Sequence, residues 1–166
     1  MKAKIKYNDS MIRRAENRDI PDIDKLLYQV CNVHADGRSD LFKHDCKKYT
    51  DEQLTEIIQD DGRPIFVLTD EEDVHVLGYC FCMLEIYEND NNMVDRKTLY
   101  IDDLCVDEEA RGQHIGSRLY RYVLDHAKEI GCYNVTLNVW SLNDKAQKFY
   151  EAMGLKPYKV GMEHIL

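Results

Sequence analysis

The chain has 166 residues, of which 44% are apolar and 32% charged, a length and composition that predict one soluble globular domain spanning 1–166. No apolar run reaches the roughly 20 residues of a membrane helix, and Met1–Asn17 lacks the apolar core of a secretion signal, which predicts a cytoplasmic protein with no membrane partner. The net charge of −9 opposes non-specific nucleic-acid binding, which needs a basic face, and weakly favours a cationic substrate.

Met11–Ala15 reads as a short strand. Asp19 and Pro21 then open a helix by capping and by a preset backbone angle. Ile20, Ile23, Leu27, Val30 and His34 recur at helical spacing and carry it to about Ala35. Asp36–Lys48 is polar and loop-like. Thr50 and Gln53 form a capping box for a second helix whose apolar face is Leu54, Ile57 and Ile58. Pro64–Thr69 and Val74–Tyr87 are rich in strand formers and are separated by a turn at Glu71–Asp73, which predicts a hairpin. A charged loop, Glu88–Lys97, leads to the strand Thr98–Val106.

The period then changes. Ile115, Leu119, Tyr122, Val123, Ala127 and Ile130 mark one face of a long helix that Gly131 stops. Asn134–Trp140 alternates as a strand. Asn143 caps a last helix, marked by Ala146, Phe149, Tyr150 and Met153 and ended by Gly154. Leu155–Leu166 reads as one or two terminal strands. The order predicts an α/β (α+β) fold with a mixed, mostly antiparallel sheet flanked by helices.

Six cysteines are present, with no C-x-x-C pair and no histidine at zinc-like spacing. Cys80, Cys82 and Cys105 lie in apolar strand-like runs and read as reduced core residues. No metal site is expected.

The segment Leu104–Leu119 passes from a strand through a short glycine-bearing loop into the long helix. Unpaired N–H groups in a helix's first turn, together with its dipole, attract an anion. Glycine keeps side chains away from a phosphate, and Arg111 and Arg118 supply positive charge. An ordinary strand-to-helix turn has the same local pattern. Neither a P-loop nor a Rossmann fingerprint is present.

The run Arg111-Gly112-Gln113-His114-Ile115-Gly116 resembles the acetyl-coenzyme A signature of the GCN5-related N-acetyltransferase (GNAT) family: Arg or Gln, two residues, Gly, one residue, then Gly or Ala. His114 stands where the family has its middle glycine. The run Asn143–Leu155, with its Phe149-Tyr150 pair, resembles the family's closing segment, and the element order agrees over nearly the whole chain. The resemblance implies an enzyme that passes the acetyl group of acetyl-CoA to a primary amine by direct attack in a ternary complex.

It also implies roles. A gap beside the strand Leu99–Val106, helped by a bulge, admits the pantetheine arm. The N–H of Leu104 or Cys105 polarises the thioester, and the backbone of Val106 pairs with the pantetheine amides. Arg111, Gly112, Gln113, His114, Ile115, Gly116 and Ser117 bind the pyrophosphate, and Asn143 touches the pantetheine or sulfur region. Tyr150 protonates the leaving thiolate. A base comes from Asp102 or Asp103; strand alternation favours Asp102, which would share a face with Leu104 and Val106.

Substrate selection falls to the first helices and their loop, with His34, Arg38, Glu85 and Tyr87 as candidates for the acceptor site. Trp140 reads as packing. The acceptor expected is a small-molecule amine. A protein or peptide N-terminus, and a noncatalytic acyl-CoA-binding module, are the alternatives, and a homodimer is possible.

Overall fold

The computed structural model describes residues 12–166. Its elements are β1 (Ile12–Arg14), α1 (Ile20–Gly37), α2 (Asp51–Ile58), β2 (Ile65–Thr69), β3 (Val76–Tyr87), β4 (Arg96–Val106), α3 (Ile115–Glu129), β5 (Asn134–Leu137) and α4 (Asp144–Ala152). Met11, where the predicted first strand begins, lies outside the described residues, as does most of the segment read for a secretion signal.

The five strands lie in sequence order, β1-β2-β3-β4-β5. Every neighbouring pair is antiparallel except β4 and β5, which are parallel. A parallel neighbour needs a crossover, and α3 supplies it. All five residues of β2 are buried, because helices cover both faces of the sheet. Ile65 and Val67 turn to one face with Val76, Tyr79 and Phe81, against Ile23, Leu26 and Leu27 of α1 and Leu54 and Ile57 of α2. Phe66 and Leu68 turn to the other face with Cys80, Leu99 and Ile101, against Ile115, Leu119 and Val123 of α3.

Local chemistry sets the helix ends. The Thr50–Gln53 capping box forms, with Gln53 N–H donating to Thr50 Oγ1 at 3.2 Å and Thr50 N–H donating to Gln53 Oε1 at 2.9 Å. Gly131 takes a positive φ of 77° after α3, the conformation glycine adopts freely at a helix end. Asn143 caps α4 by accepting from the N–H of Ala146 at 3.2 Å.

Two expectations change. The predicted strand Asn134–Trp140 pairs only as far as Leu137, because β4 and β5 part there. The terminal strands expected in Leu155–Leu166 do not form. A strand needs an edge to bond, and this segment lies off the sheet, with Tyr158, Val160, Met162 and Ile165 exposed. Arg38 at the end of α1 holds Glu163 at 2.6 Å, so an ion pair rather than a ladder fixes its course.

Gly78 controls how closely α3 approaches the sheet. A Cβ there would lie 2.9 Å from Ile115 Cγ2, 3.1 Å from Leu119 Cδ1 and 3.1 Å from the carbonyl of Cys105. A glycine inside a strand often marks such an approach. Gly78→Ala is expected to lift the first turn of α3 and lower the unfolding free energy by about 1–3 kcal/mol. Urea unfolding measures this, and a change below about 0.5 kcal/mol would show that the turn yields without cost.

Candidate active site

The site begins with an irregularity in β4. Phe81 pairs with Asp103, and Cys82 pairs with Ile101, so Asp102 is an extra residue opposite β3. A bulge of this kind breaks the two-residue alternation. Ile101 and Leu104 face the α3 side, whereas Asp103 accepts a 2.7 Å hydrogen bond from Tyr79 on the α1–α2 side. Asp102 faces that side too, accepting from Tyr49 Oη at 2.7 Å and from Lys48 Nζ at 2.7 and 2.8 Å. The expectation that Asp102 shares a face with Leu104 and Val106 is therefore corrected: the bulge turns both carboxylates to one side.

The pairing of β4 with β5 also ends at this level, at Ile101 and Leu137. Beyond it the strands diverge, and a cavity of about 550 Å³ opens. Its walls come from three places: Tyr100–Leu104 on β4, Leu137–Trp140 with Asn143, Ala146 and Tyr150, and α1 with the loop after it. The sequence candidates His34, Asp102, Asp103, Leu104, Asn143 and Tyr150 thus meet in one space.

Other candidates lie elsewhere. Arg38 is spent on Asp40 and Glu163. Glu85 accepts from Tyr87 Oη at 2.9 Å, and Arg96 stacks over the Tyr87 ring; neither residue lines the cavity. Cys105 is buried against α1, its thiol 3.6 Å from the carbonyl of Leu26, and burial pushes it up to about 12.

The loop before α3 holds Arg111–Ser117 at the far end of β4. Gly112 has φ 83° and His114 φ 59°. His114 therefore occupies the left-handed region that a glycine enters freely, at a cost of roughly 1–2 kcal/mol for a side chain. It stands directly before the first turn of α3, with its carbonyl accepting from Ser117 Oγ at 2.9 Å. Gly116 faces Phe149 and Val106, and its absent side chain leaves that first turn close to α4. The backbone N–H groups of this turn have no intrahelical acceptors, which makes the loop suited to an anion.

The two carboxylates differ in their surroundings. Lys48 and Tyr49 occupy the oxygens of Asp102. Asp103 touches the cavity but is ringed by protein, and this burial pushes its carboxyl up to about 6, against the opposing effects of the Tyr79 hydrogen bond and the Lys48 charge. Tyr150 is also raised by burial, so it keeps its proton at neutral pH. His34 is lowered by burial and by Lys48, so it is neutral there. Tyr79, Lys48 and Tyr49 escaped the sequence reading; they lie 24, 54 and 53 residues from the carboxylates they hold. Trp140, read as packing, lines the cavity and meets Phe42 edge to face at 5.2 Å. Among the described residues, no group of three or more His, Cys, Asp or Glu is placed to hold a metal, and no helix is long and apolar enough to cross a membrane.

The elevated Asp103 has a consequence for stability. The fold holds its proton up to about pH 6, whereas the ordinary carboxyl loses it near 3.8. Stability therefore falls as pH rises through that window, and the whole penalty is present at pH 7. Asp103→Asn is expected to stabilise the protein at pH 7 by about 1–3 kcal/mol, and by much less below pH 4. Urea unfolding at the two pH values checks it; equal effects at both would show the carboxyl to be ordinary.

Known proteins resemble this chain in sequence and in fold. The sequence pattern described as the Acetyltransferase (GNAT) family matches residues 27–155. The chain is 32% identical over 77 residues to glucosamine 6-phosphate N-acetyltransferase of Arabidopsis thaliana, a match covering 42% of this chain and half of that one. It is 25% identical over 158 residues to thialysine N-epsilon-acetyltransferase of Bos taurus, covering 87% of this chain and 82% of that one. The solved structure of a variant of the Bacillus halodurans protein BH1408 superposes with a TM-score of 0.88 at 30% identity, over 93% of this chain and 98% of that one. With its sheet parted at β4 and β5 and the family pattern running through both, this chain belongs to the GNAT acetyltransferase family.

Proposed function

We propose that the protein transfers the acetyl group of acetyl-CoA to a primary amine of a small molecule, by direct attack within a ternary complex. The observation that carries this reading is one shared cavity in which Asp103, raised to about 6, and Tyr150, held protonated, line the gap where β4 leaves β5. A base and an acid with well-separated proton affinities are what amide formation from a thioester needs.

The chain's residues fit acetyl-CoA. The first turn of α3, with Gly112, Gly116 and Arg111, receives the pyrophosphate. The backbone of β4 beyond Ile101, including Val106, which β5 no longer pairs although β3 does, receives the pantetheine amides. Leu104 lines the cavity on the stretch of β4 that β5 leaves, and its N–H is the proposed donor to the thioester oxygen. Asn143, at the start of α4, borders the same space.

Asp103 takes a proton from the bound ammonium, and the neutral nitrogen attacks the carbonyl carbon. As the carbon–sulfur bond breaks, Tyr150 donates its proton to the departing thiolate, and the second amine proton restores the phenol. Asp103 serves better than Asp102 because Lys48 and Tyr49 already occupy Asp102. Asp102 instead positions Lys48, which lines the cavity, and is itself held by Tyr49, which stacks on Phe81. His34, Phe42 and Trp140 line the acceptor end. The relatives named for glucosamine 6-phosphate and thialysine support a small acceptor.

Thiol release from acetyl-CoA across a panel of small primary amines tests the reading; no release with any amine, or no binding of acetyl-CoA at millimolar concentration, would end it. Tyr150→Phe is expected to lower kcat by about 10²-fold with acetyl-CoA affinity within twofold. In the active protein kcat should rise with pH through about 6 or somewhat higher, following the carboxyl of Asp103, and Asp103→Asn should flatten that limb. An intact limb in Asp103→Asn would move the base to another group.

A further inference from the structure

The acceptor wall contains a pair of cysteines for which the acetyl transfer has no use. Cys31 lies in the middle of α1, and Cys46 in the loop 38–48 that follows. Both line the cavity. Their Sγ atoms are 2.6 Å apart, and both thiols donate to the carbonyl of Lys43, at 3.2 and 3.1 Å. A sulfur–sulfur bond is about 2.05 Å long, so closing one asks for a movement of roughly half an ångström, with the chain already folded back on itself.

The loop they join also bears on the cavity, through Leu41, Phe42, Lys43 and Lys48. Near the pair its polar ties to α1 are solvent-exposed: Asp45 N–H to Asn32 Oδ1 at 2.8 Å, and His44 to Asp36 at 2.8 Å; earlier in the loop Phe42 packs on His34 of α1 at 5.1 Å. Exposed polar ties contribute little, so the stretch around Cys46 opens locally at low cost. A firmer anchor lies at its end, where Lys47 bridges Asp24 and Asp51.

We propose that Cys31 and Cys46 form a reversible disulfide that pins the loop 38–48 to α1 and so restricts the acceptor end of the cavity. The restriction of acceptor binding rests on the acetyl-transfer reading above; the disulfide and the pinning do not. Oxidation proceeds by exchange with a low-molecular-weight disulfide such as glutathione disulfide. Cys46 attacks as its thiolate, forming a mixed disulfide and releasing one glutathione thiolate. Cys31 loses its proton, attacks the Cys46 sulfur and releases the second glutathione. Two protein thiols are oxidised, one glutathione disulfide is reduced to two thiols, and the reverse exchange restores the pair. Burial and the adjoining Cys46 push Cys31 up to about 11, which suits it to the second step rather than the first. In a reducing compartment such a bond is transient, as expected of a sensor rather than a staple.

The reduced full chain, incubated with glutathione disulfide, tests this by non-reducing peptide mapping. A peptide linking Cys31 to Cys46, with two of the six thiols lost and both regained with dithiothreitol, is the expected result. Amide exchange in residues 38–48 should slow at least tenfold on oxidation. With an accepted amine, KM for that amine should rise several-fold while acetyl-CoA affinity stays within twofold. Cys46→Ser should lose the cross-link, the slowed exchange and the oxidant response relative to its own reduced state. Glutathione mixed disulfides only, a cross-link between other cysteines, or unchanged exchange after cross-linking would each overturn the proposal. A slowed exchange with unchanged amine KM would overturn its restriction of the acceptor site. Absence of turnover with every amine would sink the acetyl-transfer reading instead, leaving the peptide map and the exchange rates to decide the disulfide.

Discussion

One extra residue in one strand organises this site. Where Asp102 bulges from β4, the register with β3 shifts and the pairing with β5 stops. A regular strand at this position would send neighbouring side chains to opposite faces and keep its backbone groups in a ladder. The bulge removes both constraints at one level of the sheet. Two carboxylates turn to the same side, and β4 presents backbone donors and acceptors to a cavity instead of to β5. Sheet faces packed by α1, α2 and α3 hold this irregularity in place, since β2 and the inner halves of β3 and β4 are buried on both sides.

Placing two carboxylates together creates an electrostatic problem that the surroundings resolve unequally. Like charges at adjacent positions raise the cost of ionising both. Lys48 and Tyr49 cluster on Asp102, which keeps its charge satisfied. Asp103 receives the smaller share: one hydroxyl from a fully buried tyrosine and the more distant field of Lys48. Its desolvation is left incompletely offset, and its proton is held into the neutral range. The same deficit that weakens the fold there leaves a carboxyl of raised proton affinity beside the cavity, the property the proposed base needs. The protein's overall acidity plays no direct part in this balance; local burial and one lysine set it.

Much of the architecture was legible because it rests on short-range chemistry. The Thr50–Gln53 box, the glycine stop at Gly131 and the Asn143 cap act within a few residues, and the two-faced burial of β2 follows from its continuous apolar run. The site was legible only in part. Tyr150, Asn143 and the carboxylates were visible through family resemblance, which also implied a gap beside β4. The level of the bulge was not: no residue type demands an extra position, and assuming strict alternation assigned Asp102 to the wrong face. Tyr79, Lys48 and the Cys31–Cys46 contact join residues far apart in sequence through loops whose course depends on tertiary packing. The terminal segment shows the converse failure. Its alternation, Tyr158, Val160 and Met162, has strand character, but pattern alone cannot supply a neighbouring edge.

Two regions at opposite sides of the cavity are built with different rigidity. The start of α3, outside the cavity lining, rests on close packing: Gly78 lets Ile115 and Leu119 sit directly on the sheet, and Gly116 lets Phe149 approach the first turn. The exposed His114 keeps its left-handed backbone directly before Ile115, whose burial anchors the turn to the sheet. The loop 38–48 on the other side is held by Lys47, by exposed polar pairs, by two thiols in contact and by Phe42 packed on His34 and Trp140. Such a wall can change shape at small cost and can carry new side chains without disturbing the core. In the proposed reaction, recognition of the acceptor falls on the weakly fastened loop, and activation of the thioester on the bulge and the helix start. On that reading the fold keeps one chemistry fixed while its acceptor wall is open to change.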